Sequence, residues 1–217
     1  VPSNAATRWG PLWPEAAYMR YNSGSNSTKS YASPTTSGAA ATSPCPAQGQ
    51  LLTEMSQSAF NTYANSLVAN GNTYLDIGMI WGGRMISPSG VFQDNVNTAA
   101  SNGGEVSRHL IFMTDGEMQT INTYQQAWGM EYWDRKVTSD GSSSTETTNH
   151  TKRFLAVCEA IKAKGVRVWV IAFTSTLSSD LTTCASANSS YTAANATELS
   201  TAFQEIAKQV GELRLTQ

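Results

Sequence analysis

The sequence predicts an α/β protein built on a parallel sheet, and three stretches carry that prediction. In His109-Leu-Ile-Phe-Met-Thr-Asp-Gly-Glu117, apolar residues run without alternation into Thr114-Asp115-Gly116. That is the pattern of a strand buried on both faces and ended by a sharp turn. Next come Phe154, Leu155, Cys158, Ile161 and Lys162 at helical spacing, a stop at Lys164-Gly165, and then Val166-Arg-Val-Trp-Val-Ile-Ala-Phe173. A helix, a glycine and a β-branched strand form a βαβ unit, so 109–114 and 166–173 are expected to be parallel neighbours. Last, Leu199, Phe203, Ile206, Val210 and Leu213 share one face of a helix expected from Glu198 to Leu213, the pattern of a helix docked on a core.

The remaining elements follow in order. Residues 1–50 read as a loop-rich segment. Trp9-Gly-Pro-Leu-Trp-Pro14 is rich in turn formers, and 22–44 hold mostly Ser, Thr, Gly, Ala and Asn. That composition buries too little apolar surface to offset ordering entropy, so an exposed loop or linker is expected. From Leu51 to Gln217 the pattern is that of a folded domain. Phe60, Tyr63, Leu67 and Val68 sit at helical spacing, and Asn70-Gly71 ends the helix. A second helix is expected from about Thr73 to Met85, with Ile77, Ile80, Trp81 and Arg84 spaced along it and Ser87-Pro-Ser-Gly90 as its stop. Met79 and Trp81 are assigned to the core. Residues 117–151 read as a long polar insertion containing Tyr124, Trp128, Tyr132 and Trp133; loops of that length are usually functional. Ser190-Tyr191-Thr192 is a candidate short edge strand.

Composition bounds the function. The chain has 217 residues and a net charge of −2, which suits one domain and offers no basic surface for nucleic acid. Charged residues make up 14%, against about 25% in ordinary domains, a balance that fits a secreted or surface protein. No apolar run reaches the roughly 18 residues a membrane span needs. With Val1 at its start and no leader pattern, the chain reads as a processed or excised product. The sequons at Asn26, Asn149, Asn188 and Asn195 follow from the composition and are assigned no glycan. His109 and His150 lack metal-ligand spacing and are read as structural or surface groups. Trp9, Trp13 and Trp128 fit either a contact surface or packing back on their own domain. There is no supported Ser-His-Asp arrangement and no phosphate-binding glycine motif.

Two residues stand out as candidate ligands. Asp115 ends a strand at the sheet edge where open α/β proteins bind ligands, although Asp-Gly is also a common turn pair. Thr73 opens a helix. Thr73-Tyr-Leu-Asp76 equally reads as an N-cap with an acidic partner, and both roles are compatible. Glu117 is close enough to support such a site, or is simply solvated.

These residues resemble a family. Gly71-Asn-Thr73, Gly78-Met-x-Trp-Gly-x-Arg84 and Ser87-Pro88 look like the central block of the von Willebrand factor A domains of TadG-like pilus-assembly proteins. So do Phe-Met-Thr-Asp115-Gly-Glu and the tail from Cys158 through Lys-Gly-Val-Arg-Val-Trp-Val-Ile-Ala-Phe173 and Cys184-Ala to Leu213-Arg-Leu215. The resemblance covers roughly residues 45–217. It implies a three-layer, doubly wound, mostly parallel sheet, and a metal-ion-dependent adhesion site for Mg²⁺ or Ca²⁺ in which Thr73 and Asp115 are ligands. It also implies an extracytoplasmic, non-enzymatic domain whose partner is a pilus or secretion component or a surface ligand. Hydroxyl, carboxylate and water oxygens suit such a hard cation.

The family's first cation loop, Asp-x-Ser-x-Ser after a central strand, has no counterpart before Thr73. Asp140-Gly-Ser-Ser-Ser144 matches the string but lies after Asp115, in a polar stretch with no buried strand before it. The domain's N-terminal half is therefore expected upstream, supplied in cis or in trans. Two rival functions remain: a metal-assisted hydrolase on the same sheet edge, and a structural module with a degenerate cation site. Of the three cysteines, Cys158 lies on the apolar face of the helix before strand 166–173 and Cys184 in the segment that returns beside it. A Cys158–Cys184 disulfide is expected in an oxidising compartment, with Cys45 left over.

Overall fold

The structure is a computed structural model that describes residues 19–21, 29–31, 47–68, 72–99, 103–122 and 125–212. In chain order the elements are β1 (Met19–Tyr21), β2 (Lys29–Tyr31), α1 (Gln57–Ser66), α2 (Leu75–Ile86), α3 (Gln93–Val96), β3 (Arg108–Thr114), β4 (Gln125–Gln126), β5 (Gly129–Met130), α4 (Glu131–Asp134), α5 (Ser143–Lys162), β6 (Val166–Phe173), α6 (Ser179–Cys184), β7 (Ser190–Ala193) and α7 (Ala196–Glu212). The chain divides into two compact units, one of residues 73–118 and 151–217, the other of residues 1–72 and 119–150.

The first unit is an α/β fold around a three-stranded sheet in the order β3-β6-β7. Both pairings are parallel, with Leu110 opposite Val168 and Ile171 opposite Tyr191. The expected parallel neighbours and the short strand at 190–192 are therefore present. β6 is central, which explains its continuous apolar run: Val168 through Ala172 are all buried. Successive side chains of a strand point to opposite faces, and each face has its own core. Val168, Val170 and Leu110 pack with Leu75 and Met79 of α2, Phe154 and Ile161 of α5, and Leu181 of α6. On the other face, Trp169, Ile171 and Ala193 pack with Ala202 and Ile206 of α7. Helices thus cover both faces. Cys158 and Cys184 are disulfide-bonded with a Cα–Cα distance of 5.1 Å, tying α5 to α6 in the pairing expected.

α2 approaches both β3 and α5 closely because it carries glycines at the contacts. A Cβ on Gly82 would stand 2.9 Å from Leu110 Cδ1, and one on Gly83 2.8 Å from Ile161 Cδ1. At the other end of the chain, α7 begins at Ala196 with reciprocal capping. Asn195 Oδ1 accepts from the Thr197 and Glu198 amides, and Glu198 Oε2 accepts from the Ala194 amide.

Several expectations are corrected. β3 is an edge strand and is not buried on both faces: Ile111 is 41% and Met113 50% exposed. Among the described residues, the α7 core draws its strand residues from β6 and β7, and Ile111 and Met113 of β3 are left exposed. Trp81 is exposed rather than core, with the Arg84 guanidinium 5.0 Å from its ring centroid, whereas Met79 is fully buried as expected. α1 forms near the expected place but buries none of its residues.

In the second unit, β1 and β2 pair antiparallel, so part of the expected 22–44 loop is strand. Residues 117–151 are not a structureless insertion either. They hold the β4–β5 hairpin, α4 and the start of α5, which begins at Ser143 rather than near Phe154. The unexpected first turns of α5 are rich in Ser and Thr. Their threonines return hydrogen bonds to the helix backbone, Thr147 Oγ1 to Ser143 O and Thr148 Oγ1 to Ser144 O, which lets a polar sequence sit in a helix. Trp128 packs back into its own unit and is buried. Trp9, Trp13, Asn26, Cys45, Asn70-Gly71, Tyr124 and Leu213 lie outside the described residues.

Candidate functional site

Two places in the chain gather chemically capable side chains. The first is the C-terminal edge of the parallel sheet. β3 ends at Thr114, whose buried hydroxyl donates to Gly116 O at 2.9 Å and accepts from Gly116 N at 3.2 Å. This tight turn leaves Asp115 exposed at the strand's end. Gly78 of α2 lies beside Phe112, and Gly82, one turn on, beside Leu110. α2 therefore runs antiparallel to β3, and its first turn sits at the same edge as Asp115. Thr73, half-buried, precedes that turn by two residues.

The capping role read for Thr73 is not found. The N-cap is Tyr74, with no side-chain capping hydrogen bond. Asp76 is fully buried in the first turn of α2, and Glu117 is exposed. Asp140, the start of the Asp-x-Ser-x-Ser string, is occupied at the beginning of α5. Its oxygens accept from the Ser142 amide at 3.0 Å, Ser142 Oγ at 2.9 Å and Thr145 Oγ1 at 3.1 Å. The Ser142 amide and hydroxyl hold its carboxyl below the usual aspartate range. Among the described residues, no group of three or more His, Cys, Asp and Glu side chains is arranged to hold a metal ion.

The second place is buried in the other unit, and its carboxylates carry no motif that marks them in the sequence. Glu131 opens α4 and is almost fully enclosed. Its carboxylate accepts from the Val137 amide at 3.0 Å, the Thr138 amide at 2.7 Å and Thr138 Oγ1 at 2.7 Å. The Thr138 hydroxyl in turn accepts from the Gly141 amide at 2.7 Å. Gly141 has φ +69°, and a Cβ there would stand 3.0 Å from Tyr132 O, so this turn requires glycine. Glu146 and His150, one turn apart on α5, are both fully buried. Gln126 Nε2 donates to Glu146 Oε1, and His150 Nε2 lies 3.8 Å from the same oxygen. The Trp128 ring meets His150 edge-on at 5.4 Å. Burial pushes the Glu146 carboxyl up, opposed by the Gln126 hydrogen bond and the charge of His150. His150, read as a structural or surface group, is a core residue. The only available signal was Glu146-x-x-x-His150 on one helix face, hidden because that stretch reads as loop.

His109 is also structural. Its Nδ1 accepts from Trp169 Nε1 at 3.2 Å, and Ser107 Oγ lies 2.8 Å from its Nε2. Compared with protein-family models, with curated proteins and with solved structures, the chain matches none. No helix among the described residues is long and apolar enough to cross a membrane.

Proposed function

We propose that this chain is the C-terminal part of an extracytoplasmic von Willebrand A-type domain that binds a protein partner, in pilus assembly or surface attachment. Its sheet is then the C-terminal half of a doubly wound sheet. Thr73 and Asp115 would contribute to a weak Mg²⁺ or Ca²⁺ site, which would recognise a carboxylate of the partner. The observation that carries the reading is Asp115, exposed in the turn after a parallel strand, at the same sheet edge as the start of α2 behind Thr73. The helices on both faces and the disulfide, which fits an oxidising compartment, are in keeping with it. A hydroxyl and one carboxylate form too small a set for tight binding, because affinity for hard cations follows ligand number and charge. The domain's N-terminal half, with an Asp-x-Ser-x-Ser loop, would complete the set. The sequence offers the hydrolase reading no general base with a motif behind it.

Calorimetric titration of Mg²⁺, Mn²⁺ and Ca²⁺ tests the reading. Weak binding to this chain is expected, strengthened when the N-terminal half is present and lost in Asp115→Ala. Equal binding by the Asp115→Ala variant removes Asp115 from the site. No binding in the presence of both halves leaves the domain as a structural module.

A further inference from the structure

The Gln126, Glu146 and His150 side chains converge inside one unit, and two buried oxygens of Glu146 and Gln126 are left open there. Glu146 Oε2 and Gln126 Oε1 are both shut off from solvent, and among the described residues neither has a hydrogen-bond partner. Native proteins rarely leave buried acceptors so, and an ion or water is the usual reason when they do. Glu146 is fully buried, and the charged groups acting on its carboxylate are His150 and Glu131. The Glu131 carboxylate is already held by two backbone amides and a hydroxyl. What the cluster lacks, among the described residues, is a donor or cation facing Glu146 Oε2 and Gln126 Oε1. His150, at i+4 on α5, puts an imidazole nitrogen within 3.8 Å of Glu146 Oε1.

We propose that Glu146, His150 and Gln126 form a binding site for a borderline divalent cation of the Zn²⁺ class. The donor set decides the class. The imidazole nitrogen beside a carboxylate suits Zn²⁺ and its first-row neighbours, whereas Mg²⁺ and Ca²⁺ favour oxygen alone; the Gln126 amide oxygen adds a weaker ligand that does not itself select the ion. A helical i,i+4 pair is a common way to present two such ligands on one face. The ion completes the two buried oxygens, neutralises the carboxylate, and fixes the β4–β5 hairpin against α5. Its binding displaces any proton on Glu146 into solvent, so affinity falls at acid pH. The proposal shares no residue with the Thr73 and Asp115 reading and does not depend on it.

The test is Zn²⁺ titration into the full chain after stripping with chelator, with bound metal counted by elemental analysis. One equivalent is expected. The dissociation constant should rise at least tenfold in Glu146→Gln, rise in Gln126→Leu, and stay unchanged in Asp115→Ala. The chain holds two histidines, so ¹⁵N spectra of the imidazoles give a direct readout. The His150 Nε2 resonance should shift on Zn²⁺ addition while those of His109 stay in place. Absence of binding, binding that is unchanged in both Glu146→Gln and Gln126→Leu, or a shift at His109 in place of His150 overturns the proposal and leaves the cluster closed by water or a proton.

Discussion

At the residue scale, the sharpest energetic consequence comes from Glu146. Its carboxyl is raised above its ordinary value by burial, so the folded state holds its proton to higher pH than the unfolded state does. The linkage sign follows: this group's contribution is fully present below the unfolded value and is lost as pH rises through the folded one. In chelator, Glu146→Gln should therefore unfold at a higher temperature than the parent at pH 8, with the gap closing by about pH 4, near and below the unfolded value. Melting curves across that range check it; a variant less stable at pH 8 would mean that the carboxylate is compensated in its charged form. Asp140 has the opposite sign. Its carboxyl is lowered by the Ser142 hydrogen bonds, so what it adds at the start of α5 is lost as pH falls. Residue-level legibility was uneven for a physical reason. Asp115 stood out because a turn after an apolar strand is a local pattern. Glu131 and Glu146 did not, because burial of a carboxylate depends on partners that come from other segments.

At the element scale, apolar periodicity located α2, β3, β6, β7 and α7 to within a few residues, since each buries a face. It failed for the first turns of α5, which are Ser- and Thr-rich, and for β4 and β5, which are two residues each. Their order rests on side-chain hydrogen bonds, which leave no hydropathy signal. The Cys158–Cys184 link was legible because a helix and the segment after the next strand must lie side by side. It closes a loop spanning 26 residues of sequence separation between α5 and α6, both of whose cysteines are fully buried. The chain-entropy account puts a closure of this size at about 3.5 kcal/mol. The paired Cys158→Ala, Cys184→Ala variant should lose stability of that order in denaturant titrations, with the midpoint moving and the slope little changed. A loss under about 1 kcal/mol would mean that packing of α6 by Leu181 already fixes the loop.

At the scale of the whole molecule, the parallel sheet stops at β3 in a way its side chains do not match. The strand Arg-His-Leu-Ile-Phe-Met-Thr carries no proline, and its arginine, Arg108, sits at its first position and is turned to Val96 O and Asn97 Oδ1, so the rest of the edge is not blunted by charge. Among the described residues its backbone pairs only with β6, and Ile111 and Met113 are uncovered on the α7 face. Exposed Trp81 adds apolar surface on α2, a helix whose sequence is apolar on nearly every side. Unprotected edges of this kind pair with other chains, and parallel sheets are ordinarily covered on both faces. The sequence made β3 look like an interior strand because its composition is that of one; only the pairing partners reveal the edge. The 217-residue chain alone is therefore expected to self-associate as its concentration rises. The double substitution Ile111→Lys, Met113→Lys should shift it toward monomer, because both side chains already meet solvent and charge there opposes stacking of a second edge. Sedimentation velocity over a concentration series decides it. A parent chain that stays monomeric throughout, with a cooperative melt, would show that the β3 edge is closed within the 217 residues themselves.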